Sequence, residues 1–244
     1  MIRTILAVIY VVIFLIVSIP VQLVEWIIGK FSRKLKDRST LVMVAWGFRC
    51  VQFISGTSVT FLGEENIPKD QAVLYIGNHR SIFDIVITYG NMKSPCGYVS
   101  KKENAKIPIL APLMRSLYCQ FLDRDDIKNG LKTILSCIED VKKGISIFIF
   151  PEGTRNRTEA PLLPFHQGSF KVAEKTGCPI IPVTMNHTEE IFENHFPRLK
   201  RTHVVVEYGT PILPDSYSKE DRRRLSEITQ QVIAETYEKN KALV

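Results

Sequence analysis

The stretch A-V-L-Y-I-G-N-H-R-S-I-F-D-I-V-I-T-Y, residues 72–89, sets the pattern that decides the fold. Residues 72–77 form a short apolar run that predicts a buried strand, and residues 81–89 have the composition of a helix that follows it. Strand-and-helix units of this kind, repeated along a chain, build an α/β domain with parallel strands in its sheet.

The same alternation continues over the rest of the chain from residue 57. Further strands are predicted at 98–100, 119–122, 145–150, 180–185 and 204–208, and helices at 109–117, 129–143, 170–175 and 219–239. Residues 145–150, I-S-I-F-I-F, are the clearest strand, and Gly144 ends the helix before it. We therefore expect residues 57–244 to form one α/β domain, a mostly parallel mixed sheet flanked by helices.

Residues 1–56 have a different composition. Between Arg3 and Glu25 there are 21 uncharged residues, which as a helix of ~1.5 Å per residue would be about 30 Å long. We expect Pro20 to interrupt this helix. A second apolar stretch, residues 41–54, contains Arg49 and is too short to cross a bilayer. The pair fits one membrane span or two linked helices within one leaflet, while a signal peptide and a buried core helix fit less well. Residues 1–56 are predicted to be a membrane-embedded helical motif.

The distribution of charge supports a membrane location. The chain carries a formal net charge of +7, and its mean hydropathy is +0.03. Residues 1–56 contain seven basic and two acidic side chains, whereas residues 57–244 are nearly neutral. A basic excess beside an apolar run favours an anionic membrane surface over nucleic acid, and the positive-inside rule places the cluster at 30–38 on the cytoplasmic side. The five scattered cysteines indicate a reduced, intracellular protein without a zinc site.

His79 and Asp84 are the first candidates for chemistry, because His79 follows a predicted strand and Asp84 lies five residues later. The positive end of a helix dipole keeps an imidazole neutral, as a general base requires, and a carboxylate can fix its tautomer. The spacing alone favours a structural or surface histidine, and the position at a strand-to-helix junction makes the two interpretations about equal. Ser81 is a rival nucleophile, but a helix-capping role suits it better.

Basic side chains follow three other predicted strands. The motif F-P-E-G-T-R, residues 150–155, places Arg155 after the clearest strand, and a guanidinium there could hold a phosphate. Taken alone, the motif favours a solvated turn with an internal pair between Glu152 and Arg155. Lys101 and Arg124 follow two further strands, so Lys101, Arg124 and Arg155 could converge on one anion at the carboxyl edge of the sheet.

The usual motifs of several enzyme classes are missing from the sequence. It contains no G-x-x-x-x-G-K-[ST], G-x-G-x-x-G or G-x-S-x-G pattern, which disfavours nucleotide hydrolysis, dinucleotide redox chemistry and an α/β-hydrolase serine. A histidine and an aspartate without a protein nucleophile suggest that the nucleophile is a hydroxyl of the substrate.

Four motifs in order resemble one enzyme family. N-H-x-x-x-x-D (78–84), F-L-D-R (121–124), F-P-E-G-T-R (150–155) and C-P-I-I-P-V (178–183) are similar to the four blocks of the glycerophospholipid acyltransferases, in particular the bacterial 1-acyl-sn-glycerol-3-phosphate acyltransferases. The resemblance covers roughly residues 65–215. It implies a membrane enzyme that transfers a fatty acyl group from a carrier thioester to the sn-2 hydroxyl of lysophosphatidic acid, giving phosphatidic acid in phospholipid biosynthesis.

The resemblance also implies roles for individual residues. His79 would be the general base and Asp84 would orient it. Residues implied in binding the substrate are Lys101, Arg124, Glu152, Gly153, Thr154 and Arg155 for the glycerol phosphate, and Pro182 for the acceptor or its acyl chain. One departure is His166, which stands in F-H-Q-G where many relatives have a lysine.

The implied reaction uses acyl carrier protein or coenzyme A as the thioester carrier and needs no metal or redox cofactor. The implied partners are therefore lysophosphatidic acid, the acyl thioester and the membrane lipid bilayer. Two alternatives remain open: a related acyltransferase that acts on glycerol 3-phosphate or another lysophospholipid, and a catalytically silent lipid-binding membrane protein.

Overall fold

The computed structural model of this chain describes residues 1–123 and 126–244, and within them strands and helices alternate. The strands are β1 (Ser58–Leu62), β2 (Leu74–Gly77), β3 (Cys96–Lys101), β4 (Gln120–Leu122), β5 (Ser146–Ile149), β6 (Ile180–Asn186) and β7 (His203–Tyr208). The α-helices are α1 (Ile2–Phe31), α2 (Arg33–Ser55), α3 (Phe83–Gly90), α4 (Leu110–Ser116), α5 (Ile127–Lys142), α6 (Lys171–Thr176) and α7 (Leu225–Asn240).

The strands form one mixed sheet in the order β1-β7-β6-β2-β5-β3-β4. All neighbouring strands are parallel except β6 and β7. Helices α2, α3 and α4 cover one face, and α5, α6 and α7 cover the other. The side chains of β2 alternate between these faces: Tyr75 joins the first core, whereas Leu74 and Ile76 join the second. The predicted α/β class with a mostly parallel mixed sheet is confirmed.

Strand β1 was not predicted from the sequence. Its residues S-V-T-F-L lie at the edge of the sheet beside β7, and none of the five is fully buried. A short half-exposed strand lacks the continuous apolar run that marks a central parallel strand.

The expectation that Pro20 interrupts the first helix is wrong. Helix α1 continues through Pro20 to Phe31. The Ser18 hydroxyl donates to the carbonyl oxygen of Leu15 at 2.7 Å and accepts from the Gln22 amide at 3.0 Å. Side-chain hydrogen bonds of this kind help a strongly apolar helix to tolerate a proline.

Helices α1 and α2 form an antiparallel hairpin that turns at Ser32, whose hydroxyl accepts a hydrogen bond from the Leu35 backbone N–H. Helix α2 packs against α3 on the face of the sheet, and α1 packs against α2. Helix α1 is long and apolar enough to cross a membrane, yet only 11% of its most apolar 18-residue window is buried. It is therefore not buried as the core helix of a soluble protein is.

Candidate active site

The candidate site lies at the carboxyl ends of β2, β3 and β5, which run parallel and side by side. His79 comes two residues after β2, Lys101 is the last residue of β3, and Glu152 comes three residues after β5. Because parallel strands end at the same edge, the topology brings these separate motifs together, as the sequence predicts.

His79 and Asp84 form a close pair. The Nδ1 atom of His79 lies 2.7 Å from Oδ2 of Asp84, which is fully buried, whereas 15% of the His79 side chain is exposed. The same carboxylate oxygen accepts the backbone N–H groups of Arg80 and Ser81 at 2.8 Å each, so it is fixed by the loop that carries the histidine. Since Asp84 engages Nδ1, Nε2 is the ring nitrogen left for a substrate hydroxyl.

Two further contacts hold the His79 ring and its loop. The ring stacks on Phe150 with centroids 4.2 Å apart. Phe150 in turn contacts Phe148 of β5, with ring centroids 4.9 Å apart. Asn78 exchanges two hydrogen bonds with the backbone of Met185 in β6, at 2.8 and 2.9 Å. The loop that carries the candidate base is thus fixed to two neighbouring strands.

Glu152 faces the protein interior and not the cavity. Its side chain accepts the backbone N–H of His79 at 2.7 Å and that of Leu163 at 2.8 Å. The residue is 4% exposed, and burial raises the pKa of its carboxyl to about 6 although both hydrogen bonds favour the charged form. A carboxylate used in this way positions the loop of His79 and is badly placed to bind a phosphate directly.

Glu193 links the first motif, residues 78–84, to Arg155 of the third. Oε1 of Glu193 accepts from Arg155 Nη1 and from the backbone N–H of Ile82, both at 2.9 Å. Oε2 accepts from the Ser81 hydroxyl at 2.5 Å. That hydroxyl also accepts the backbone N–H of Phe83, the first residue of α3. Arg155 is 37% exposed in its side chain and lines the same cavity as His79.

The other predicted binding residues differ in whether they line the cavity. Lys101, Gly153 and Thr154 line the cavity with His79. Pro182 does not: it is buried in β6, pairs with Ile76 of β2 and accepts a hydrogen bond from Gly209. Arg124 lies outside the described residues.

The cavity itself is large and mainly apolar. It has a volume of about 1970 Å³ and extends from His79 to α1, α2, α4 and α5. Ordinary small-molecule pockets hold about 300–1,000 Å³, so this one has room for a long apolar ligand. Among the described residues, no cluster of three or more His, Cys, Asp or Glu side chains is arranged to hold a metal ion.

Sequence reasoning missed Glu193 and the role of α1. Glu193 lies in a short helical turn after β6, and no motif or spacing connects it with Arg155 in the sequence. The apolar residues of α1 read as a membrane segment, and only the tertiary structure shows that some of them, such as Val11 and Leu15, also line the cavity.

Comparisons with known proteins agree with this architecture. The crystal structure of the 1-acyl-sn-glycerophosphate acyltransferase of Thermotoga maritima superimposes with a TM-score of 0.81 over 99% of this chain and 97% of that chain, at 26% identity. Proteins named 1-acyl-sn-glycerol-3-phosphate acyltransferase are similar in sequence: that of Saccharomyces cerevisiae is 28% identical over 78% of this chain, and that of Borreliella burgdorferi is 32% identical over 64%.

The two sequence matches cover 63% and 62% of the relatives' own lengths, less than two thirds of each. The sequence model of the acyltransferase family matches residues 58–186, just over half of the chain, and this range contains His79, Asp84 and Arg155. The chain therefore belongs to the acyltransferase family.

Proposed function

We propose that this protein transfers a fatty acyl group from a carrier thioester to the sn-2 hydroxyl of 1-acyl-sn-glycerol 3-phosphate, giving phosphatidic acid. The observation that carries the proposal is the His79–Asp84 pair beside Arg155 in a large apolar cavity. A base, an anion-binding side chain and an apolar chamber are what a phosphorylated lipid acceptor and an acyl donor require. The names of the related proteins favour the same reaction.

In the proposed mechanism, His79 Nε2 accepts the proton of the acceptor hydroxyl while its oxygen attacks the thioester carbonyl. The tetrahedral intermediate then collapses, the carbon–sulfur bond breaks, and the protonated imidazole returns the proton to the departing thiolate. Asp84 holds the imidazole in the tautomer with a proton on Nδ1 and stabilises the imidazolium. The thioester is already activated, so the reaction needs no metal or redox cofactor.

The acceptor phosphate is proposed to bind Arg155 with help from Lys101, and from Arg124 on the strength of the motif alone. Arg155 gives one guanidinium nitrogen to Glu193, which leaves its other donors for a phosphate. Gly153 and Thr154 lie on the turn beside it. The donor is an acyl thioester of acyl carrier protein or of coenzyme A.

Residues 1–56 are proposed to bind the membrane and residues 57–244 to carry out catalysis. Near one end of the hairpin, Thr4 accepts a hydrogen bond from the backbone N–H of Leu199. At the other end, Tyr118 donates to Asp37 at 2.7 Å. Since both ends are tied to the same α/β domain, α1 cannot cross a bilayer while that domain stays on one side. We therefore favour insertion into one leaflet, at the cytoplasmic face of the cell membrane.

The experiment that tests this function measures thiol release by the purified protein with a panel of acceptors. Lysophosphatidic acid should be acylated much faster than monoacylglycerol, glycerol 3-phosphate or lysophosphatidylcholine. Preference for another acceptor would assign a different substrate, and lipid binding without thioester consumption in any mixture would refute an enzymatic role.

A further inference from the structure

The loop between β6 and β7 reaches the hairpin end at which α1 begins. We call residues 192–201 the Phe196 loop. The Leu199 backbone N–H donates to Thr4 Oγ1 at 3.0 Å. Next to this contact, the side chains of Arg201 and Arg3 lie against Gly56, where a Cβ atom would come within 2.9 Å of both. The loop is thus continuous with the surface of the hairpin.

Large apolar side chains are exposed around this junction. Phe196 of the loop is 75% exposed, Phe53 near the end of α2 is 85% exposed, and Ile2 at the start of α1 is 76% exposed. Single exposed apolar residues are common, but a group that continues an apolar helix face indicates a contact surface. Further along α1, Ile9, Ile13 and Ile16 are also exposed.

The Phe196 loop also carries exposed basic side chains. Arg198, Lys200 and Arg201 are all exposed. Lys200 lies 3.7 Å from Glu190, whereas none of the described residues forms an ion pair with Arg198 or Arg201. Aromatic side chains beside arginine and lysine are typical of the zone where a bilayer meets water.

The loop also lines the cavity. The Phe196 ring packs edge-on against Phe192, with centroids 5.4 Å apart. Phe192, Leu199 and Thr4 line the cavity that contains His79. One side of the loop therefore faces the substrate chamber, and the other carries the exposed aromatic and basic groups.

We propose that the Phe196 loop is a second membrane contact of the catalytic domain, with Phe196 in the interfacial zone and Arg198 and Arg201 on anionic headgroups. In this arrangement the cavity opens toward the leaflet beside the start of α1, and the lipid acceptor enters there. The inference rests on the membrane-bound function proposed above. The surface suits a bilayer better than an acidic protein partner, because its exposed centre is apolar and continuous with α1.

The first test places a fluorescent reporter at residue 196. In a background in which the exposed Trp26 and Trp46 are replaced by Phe, Phe196→Trp is compared with Leu213→Trp. Leu213 is the control because it is 49% exposed and follows Ile212, which pairs with Ile180, the first residue of β6, at the strand end opposite the Phe196 loop. Vesicles of phosphatidylcholine and phosphatidylglycerol with brominated acyl chains should quench the tryptophan at 196 at least about twofold and shift its emission to the blue, and leave that at 213 unchanged. Equal or absent quenching in vesicle-bound protein would overturn the proposal.

The second test concerns the charges. Adding R198A and R201A to the Phe196→Trp protein should raise about threefold or more the lipid concentration needed for half-maximal quenching on anionic vesicles, with little change on pure phosphatidylcholine. The control K239A/K241A removes two exposed lysines on and just after the end of α7. An equal effect of both double variants would contradict the assignment, as would restoration of the lost affinity by an acidic protein but not by anionic lipid.

Thioester consumption in detergent is followed in parallel with every variant. If the parent protein is active and residue 196 is not quenched, the inference fails alone. If residue 196 is quenched but no acceptor is acylated, the proposed function fails and the membrane contact stands.

Discussion

Replacing Glu152 should reduce catalysis without weakening the binding of the lipid acceptor. The Glu152 carboxylate accepts the backbone N–H groups of His79 and Leu163 from a buried position. Glu152→Gln keeps the shape and one good acceptor but turns an amide NH₂ toward the other N–H. Displacement of the His79 loop by a fraction of an ångström should lower kcat about 10- to 100-fold, because general base catalysis depends on close alignment.

The effect on stability follows from the same geometry. Burial raises the pKa of Glu152 to about 6, so the folded protein holds this proton more tightly than the unfolded chain. The wild-type protein should therefore lose about 2 kcal/mol of unfolding free energy through this residue as the pH rises from about 4.5 to about 6, and should not recover it above that pH. The Gln variant avoids this cost, but mispairing a buried N–H costs about 1–3 kcal/mol. Because these two costs nearly offset each other, the two proteins should differ by no more than about 1 kcal/mol at neutral pH.

Denaturant unfolding across pH and steady-state kinetics together test this reasoning. The difference in unfolding free energy between wild type and Glu152→Gln should change by about 2 kcal/mol between pH 4.5 and 6. The KM for lysophosphatidic acid should change less than about threefold. Glu159→Gln, an exposed substitution in the same loop, is the control. A raised KM with an unchanged kcat would show that Glu152 binds the acceptor, and would refute the positioning role.

Three other changes test neighbouring parts of the site. Asp84→Asn should lower kcat by about 10²–10⁴-fold with little change in KM, because the imidazole loses its orienting carboxylate; a loss below threefold in steady-state kinetics would contradict this. Glu193→Ala should raise the KM for lysophosphatidic acid about tenfold in the wild type, but less than twofold when Arg155 is already alanine, since Glu193 affects binding of the acceptor phosphate through that guanidinium; additive effects on KM in this double-mutant cycle would mean that its bonds to Ser81 and Ile82 also affect binding. Met114→Trp narrows the cavity and should shift the preference in competition assays with mixed thioesters toward shorter acyl chains, whereas an unchanged ratio would place the chain elsewhere.

The central strands could be predicted from the sequence because each is a short apolar run. Five of residues 145–150 are apolar and the sixth is Ser146; residues 145–149 are buried between two layers of helices, and the structure places β5 at Ser146–Ile149. Strand β1 has no such pattern because it lies at the edge of the sheet. The structure contradicts the expected break at Pro20 because proline rules come mainly from helices in water, whereas α1 is apolar on nearly every face.

Site residues at the ends of strands could be predicted from the sequence. Site residues whose role depends on side-chain orientation or on contacts between distant segments could not. His79 and Asp84 are close in sequence, so their pairing follows from a single strand-to-helix turn. The Glu152 side chain could point into the cavity or into the protein interior. No local sequence pattern shows which, and the structure has it pointing inward, to the backbone N–H groups of His79 and Leu163. Glu193 comes near the site only because β6 lies beside β2 in the sheet.

The most direct test of the account is acyl transfer to lysophosphatidic acid by wild-type protein and by His79→Ala, purified and assayed side by side. Phosphatidic acid formation is measured by mass and thiol release by absorbance, and circular dichroism establishes that both proteins are folded. Wild type should form one phosphatidic acid for each thiol released, and His79→Ala should have a kcat lower by at least ~10²-fold. Near-normal turnover by His79→Ala would contradict the assignment of His79 as the general base.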